Sequence, residues 1–257
     1  MTQSIASEQL PDGAAFVLNP RLHCLFLDFD GTLVEFADHP DSVVLPGAVH
    51  ADILRIHRDL GGAVAVVSGR EIEVLDRFLA PDKLPVAGVH GLMRRDGSGR
   101  VQVAPFDAQM LERLHGGLAP FVAAHEGLIL ERKPGSVALH FRIRPELEQA
   151  SQAAMTRAIA EASGGGGRFH VMQGKMVVEA RASMATKAGA IAAFMDEPPF
   201  AGRIPVFAGD DVTDEDGFVE VNARGGVSIK VGAGATLAQL RIESVSSFHN
   251  WLASCLR

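Results

Sequence analysis

The sequence predicts an α/β fold in which a buried parallel sheet is interrupted by an inserted second α/β domain. Short, valine-rich apolar runs alternate with helical patterns on both sides of the insert, and each run ends in small or polar residues. Between them, residues 108–181 switch to strands that alternate apolar and polar positions, as an antiparallel sheet with one wet face does.

The sheet begins with residues 22–28, followed by a helix near 47–59 and the strand Ala63-Val64-Ala65-Val66-Val67. Pro85-Val86-Ala87-Gly88-Val89, Ile204-Pro205-Val206-Phe207-Ala208 and Gly226-Val227-Ser228-Ile229 are further strands of the same parallel sheet. The insert reads helix (108–126), strand (128–133), strand (136–143), helix (146–162), strand (168–172) and strand (175–181), an α-β-β unit used twice. Gly164-Gly165-Gly166-Gly167 is a flexible connection, because the glycine spacing of a phosphate loop is missing around Gly174-Lys175.

Composition excludes several functions. A chain of 257 residues, 47% apolar and 21% charged, is an ordinary globular one, and its formal charge of −7 argues against nucleic acid and against an acidic membrane surface as partners. Two cysteines, Cys24 and Cys255, suggest neither a disulfide framework nor a thiolate metal site. No basic residue precedes Arg21, Ala14 to Leu18 is too short for a signal-peptide core, and no run spans a bilayer. The expectation is a soluble, cytoplasmic monomer.

The chemistry concentrates at strand ends. Asp28-Phe29-Asp30-Gly31-Thr32 follows the first strand, so alternation turns both carboxylates one way, Phe29 toward the core, and Gly31 allows a sharp bend. Crowded carboxylates suit a nucleophile or metal ligand beside an acid/base. Gly209-Asp210-Asp211-Val212-Thr213-Asp214-Glu215 opens on the same sheet edge. It is no EF-hand, since Val212 and Ala223 would occupy its first and twelfth ligand positions. Few oxygen ligands from two strand ends, completed by phosphate and water, suit Mg²⁺. Ser68-Gly69-Arg70 can meet phosphate oxygens at a helix start, and Lys187, near the start of a helix at 185–196, opposes the macrodipole and asks for an anion. No Gly-x-Ser-x-Gly nucleophile elbow occurs.

In the insert, strand parity sets Glu131 with Lys133, His140 with Arg142, and Lys175 with Glu179 and Arg181 on one face, leaving Leu128, Leu130, Val137, Leu139, Phe141, Met176 and Val178 to pack on the helices. Such a mixed charged face suits a polyhydroxyl anion and a lid over it.

Taken together, Asp28-Phe29-Asp30-Gly31-Thr32-Leu33, Ser68-Gly69, Lys187 and Gly209-Asp210-Asp211 resemble the four motifs of the haloacid dehalogenase superfamily of phosphatases. Gly88-Val89-His90-Gly91, Ala138-Leu139-His140-Phe141-Arg142 and Gln173-Gly174-Lys175 with Val177-Val178-Glu179 resemble the trehalose-6-phosphate phosphatases within it. The resemblance implies a Rossmann-like core (1–107 and 182–257) with an α/β cap (108–181). It further implies Asp28 as nucleophile through an aspartyl-phosphate, Asp30 as acid/base, and Mg²⁺ on Asp28, Asp210 and the Asp30 carbonyl. Ser68 and Lys187 would stabilise phosphate oxygens, with Asp211 and Asp214 behind them. Gly69, Arg70, His90, Glu131, Lys133, His140, Arg142, Lys175 and Glu179 would contact a small sugar-phosphate substrate. Functional coupling to a trehalose-phosphate synthase is compatible with this. The chain departs from the family at Met93, where Glu is usual, at Ala182 for proline and at Ala188 for glycine. The core motifs do not exclude a phosphatase for sucrose or hexose phosphate; a phosphomutase would also have to hold its product for a second transfer, and intact Asp28, Asp30, Lys187 and Asp210 speak against a silent sugar-phosphate sensor.

Overall fold

The computed structural model describes residues 12–35, 43–80, 83–163, 169–174, 176–181 and 185–256. They form two compact units, Met1–Val103 with Ala185–Arg257, and Ala104–Met184.

The first unit opens with β1 (His23–Leu27), α1 (Gly47–Asp59), β2 (Val64–Val67), α2 (Ile72–Leu79), β3 (Val86–Gly88), β4 (Met93–Arg95) and β5 (Val101–Val103). The second unit contributes α3 (Ala108–Ala123), β6 (Ile129–Lys133), β7 (Ser136–His140), α4 (Glu148–Ser163), β8 (His170–Gly174) and β9 (Val177–Arg181). The chain returns to the first unit as α5 (Lys187–Met195), β10 (Ile204–Gly209), α6 (Glu215–Ala223), β11 (Val227–Val231), β12 (Leu240–Ile242) and α7 (Val245–Ser254).

The large sheet runs β12-β11-β10-β1-β2-β3-β4-β5, parallel from β12 to β3 and antiparallel from β3 to β5. The central strands are buried on both faces, which is why they read as unbroken apolar runs: Leu25, Phe26, Leu27, Val64, Ala65, Val66 and Phe207 are fully shielded. The helices supply one apolar stripe each, such as Val49, Ile53 and Ile56 on α1 or Phe248, Trp251 and Leu252 on α7. Chain order runs outward from β1 in one direction and from β10 in the other, so the β1/β10 boundary is a topological switch point. The hairpin β4–β5 and the strand β12, three residues each, extend the sheet beyond the strands expected from sequence. Met93 sits in β4 and packs, half-buried, against the main core.

In the second unit the sheet order is β6-β7-β9-β8, all antiparallel, with Leu111, Leu114, Leu118, Met155 and Ala158 of the helices packed on Val137, Leu139, Val178 and Ala180. Several boundaries differ from expectation. β7 stops at His140, so Arg142 is exposed in a turn and does not share the strand face with His140. Met176, whose φ of 62° breaks extended geometry, lies in the turn between the last two strands, so β9 begins at Val177 instead of 175 and still ends at Arg181, while β8 lies two residues later than expected. The four-glycine tract, Lys175 and Ala182 lie outside the described residues. No helix among the described residues is long and apolar enough to cross a membrane.

Candidate active site

The carboxyl ends of β1, β2, β3 and β10 carry the candidate residues. Asp28 directly follows β1 and is pinned there by its backbone N–H, which donates to the Ala208 carbonyl at 2.9 Å. Gly31 takes φ of 81°, and any Cβ there would overlap the Asp210 carboxylate; this glycine is what brings the two loops together. Phe29 is fully buried, as strand alternation requires.

Asp210 follows β10. Asp211 then caps a short turn, accepting from the Val212 N–H at 2.6 Å, and Asp214 reaches back to accept from the N–H groups of Asp210 and Asp211 at 3.0 and 2.9 Å. Asp28, Asp210 and Asp214 each offer an oxygen within 4.8 Å of the others, an arrangement that could hold a metal ion. Asp214 has little capacity left, with one oxygen on the two amides and the other on Lys187. Asp210 Oδ1, by contrast, is buried with no hydrogen-bond partner, and a cation is the ligand that would satisfy it.

Lys187 is the first residue of α5, whose cap is Thr186, accepting from the Gly189 N–H at 3.0 Å. Its ammonium is buried and donates to both Asp28 Oδ1 and Asp214 Oδ1 at 2.6 Å. These are the anions that a cation at a helix N-terminus requires. Burial alone would lower the lysine pKa, but Asp28 and Asp214 outweigh it and hold it above its ordinary value. Burial also pushes the Asp28 carboxyl well above the usual range; Lys187 opposes that, while Asp214 and Asp210 add to it. Asp210 is raised to about 6 by burial and by the charge of Asp214.

Ser68 directly follows β2, buried, with its Oγ accepting from the Arg70 N–H at 3.1 Å. The next loop is tied to it: the N–H groups of Val89 and His90 donate to the carbonyls of Arg70 and Ser68 at 2.9 Å. Gly69 faces the His90 ring so closely that a Cβ would collide with it.

Two features differ from the sequence expectation. Asp30 is not part of the carboxylate group: its two oxygens accept from Arg70 Nε and a terminal Arg70 nitrogen, each at 2.7 Å. The crowding on Asp28 comes instead from Asp210 and Asp214. Lys230 in β11, buried and donating to the Asp210 backbone carbonyl, went unnoticed in the sequence. A lysine within the apolar run Val227-Ser228-Ile229-Lys230-Val231 was the available signal.

On the second unit's sheet, Glu131, Lys133, His140, Glu179 and Arg181 do share one face. They pair with each other: Lys133 lies 3.5 Å from Glu131 and 3.8 Å from Glu179, Arg181 lies 3.2 Å from Glu179, and His140 Nε2 lies 2.8 Å from Glu131. Burial would raise the Glu179 pKa, but Arg181 and Lys133 win and lower it.

The trehalose-phosphatase family model matches residues 26–246. The chain belongs to the trehalose-phosphatase family. This family member is 40% identical over 227 residues to the trehalose-6-phosphate phosphatase of Escherichia coli, covering 88% of the chain and 84% of that protein. It is 43% identical over 212 residues to a probable trehalose-phosphate phosphatase of Sinorhizobium fredii, covering 81% and 77%. In fold it resembles the C-terminal domain of Candida albicans trehalose-6-phosphate phosphatase, with a TM-score of 0.73 at 18% identity over 96% of this chain and 98% of that one. As a member of the family it is a phosphatase.

Proposed function

We propose that the chain hydrolyses trehalose 6-phosphate to trehalose and phosphate with Mg²⁺, through an aspartyl-phosphate on Asp28. The observation that carries the reading is the buried Asp28–Lys187–Asp214 bridge beside Asp210, whose Oδ1 lacks a partner. Asp28 and Asp210, with the Asp30 carbonyl implied by the family resemblance, would hold Mg²⁺. When bound, the ion would offset the repulsion between an anionic nucleophile and an anionic phosphate.

In the first step an Asp28 carboxylate oxygen bonds to phosphorus, the bond from phosphorus to the sugar oxygen breaks, and Asp30 gives that oxygen a proton. In the second, water attacks phosphorus, Asp30 takes its proton, and the bond to Asp28 breaks to restore the carboxylate. Ser68, the Gly69 N–H and Lys187 would stabilise the phosphoryl oxygens. Asp211 and Asp214 would keep the Asp210 loop and Lys187 in register, as their hydrogen bonds to that loop and to the ammonium suggest. The free, buried cysteines suit a cytoplasmic enzyme.

A substrate panel tests the reading: phosphate release with Mg²⁺ should be fastest on trehalose 6-phosphate, and faster turnover of sucrose 6-phosphate or glucose 6-phosphate would overturn it. The charged face around Lys133 and Glu179 is the proposed sugar reader. Lys133→Ala and Lys175→Ala should each lower kcat/KM on trehalose 6-phosphate about tenfold more than on p-nitrophenyl phosphate. Equal losses on both substrates would remove that role.

Metal and protons compete at Asp210. A carboxylate whose pKa rises on folding binds its proton more tightly in the folded state, so its ionisation weighs against the fold as pH rises from 3.8 to about 6. The rise in Tm on adding Mg²⁺ should therefore be larger at pH 7, where Asp210 is ionised and uncompensated, than at pH 5. Thermal unfolding with EDTA and with Mg²⁺ at the two pH values measures it.

A further inference from the structure

Arg70 was expected to contact substrate, yet its guanidinium already has an occupant. Nε donates to Asp30 Oδ2 and a terminal nitrogen to Oδ1, each at 2.7 Å, a bidentate fork that fixes the plane of the carboxylate. The fork is held in turn. The Arg70 Cζ lies 5.4 Å from the Phe29 ring centroid and 5.6 Å from that of Phe78, and these two rings are 5.1 Å apart. The Arg70 backbone is fixed at both ends, its N–H donating to Ser68 Oγ and its carbonyl accepting from the Val89 N–H. The side chain is only 13% exposed, against 31% for Asp30. The guanidinium is thus the more enclosed partner, and Asp30 the more open one.

We propose that Arg70 is a positioning residue that holds the Asp30 carboxylate for proton transfer, and not a ligand for the substrate phosphate. The inference rests on Asp30 being the acid/base group of the proposed reaction. Asp30 lies on a glycine-containing loop outside β1, where strand geometry no longer dictates its rotamer, and the same carboxyl must serve two successive proton transfers. Arg70 supplies the missing constraint. Both bonds persist while Asp30 is a carboxylate; when one oxygen carries a proton, the other still accepts from the guanidinium, so the group keeps its position through the cycle. Phe29 then acquires a use beyond packing, as a platform under the fork.

Leaving-group chemistry separates this role from phosphate binding. The sugar oxygen departs only with a proton, whereas p-nitrophenolate departs without one. With the full chain and Mg²⁺, Arg70→Ala should lower the single-turnover rate on trehalose 6-phosphate about 10²-fold, the cost of a misplaced reacting group, and change single-turnover p-nitrophenolate release less than about threefold. Arg70→Lys, which keeps the charge and one hydrogen bond, should recover part of the loss and leaves the test intact if the alanine variant does not fold. Equal losses on both substrates, or a raised KM with kcat unchanged, would make Arg70 a phosphate ligand or a structural residue and overturn the proposal. Asp30→Asn is the reference: if it spares p-nitrophenolate release while Arg70→Ala does not, the role of Arg70 falls and that of Asp30 stands. If Asp30→Asn slows both substrates alike, the acid/base assignment falls and takes the proposal with it.

Discussion

Asp28→Asn should abolish turnover, by at least about 10⁴-fold, while the metal-free protein becomes no less stable. The amide has no anionic oxygen with which to attack phosphorus, so the loss is in kcat and not in KM. The stability side follows from the crowding. Burial and the neighbouring Asp210 and Asp214 weigh against an ionised Asp28, and Lys187 only partly offsets them. Asparagine removes one of three buried or half-buried negative charges, and its carbonyl oxygen can still accept from Lys187, which retains Asp214 as an ionic partner. The metal-free Tm should therefore stay level or rise, the mark of a site strained for function. Phosphate release and thermal unfolding in EDTA check the two halves, and near wild-type turnover would sink the nucleophile assignment.

The strands around this site were legible in the sequence because parallel strands buried on both faces cannot alternate. Cys24-Leu25-Phe26-Leu27 and Val64-Ala65-Val66-Val67 advertise themselves as unbroken apolar runs. The acidic and glycine residues that follow them mark the sheet edge at which the chain bends. Strands of three residues carry no usable period: β3 shows because it lies in the apolar run Pro85-Val86-Ala87-Gly88-Val89, whereas polar residues interrupt β4, β5 and β12. Charge pairing was less legible still. Asp30 and Arg70 are separated by α1 and β2, and nothing local says that the guanidinium will meet this carboxylate. Strand parity set Asp30 beside Asp28, but β1 ends at Leu27 and Gly31 turns the chain, so alternation stops governing direction where the chemistry begins. Lysine at the start of α5 did point to an anion; that two aspartates of the protein itself answer it is visible only once β1 and α6 are folded beside it.

Lys187→Met is expected to have the largest effect on stability. Lys187 and Asp214 are among the most deeply buried charged groups of the first unit, and Asp28 is nearly as well shielded. The methionine keeps the aliphatic stem and removes the ammonium, which leaves two buried carboxylates facing each other and Asp210 without it. Breaking a buried ion pair on one side costs about 3–5 kcal/mol, because the remaining charge is left uncompensated. The lysine pKa is raised on folding, so its contribution is fully present below the unfolded value of 10.5 and is lost only as pH rises through the still higher folded one. At pH 7 the wild-type protein has all of it. Asp28, which burial and its acidic neighbours already make harder to ionise folded than unfolded, loses the one charge that opposes them, so the deficit should shrink as pH falls toward 5. Adding Mg²⁺ should narrow it as well, since a cation near Asp28 and Asp210 supplies part of the missing charge. Urea unfolding of the two proteins at pH 5 and pH 7, with EDTA and with Mg²⁺, measures all three. A deficit that is independent of both pH and metal would mean that Lys187 stabilises the fold by packing alone, and the electrostatic account of the site would have to be abandoned.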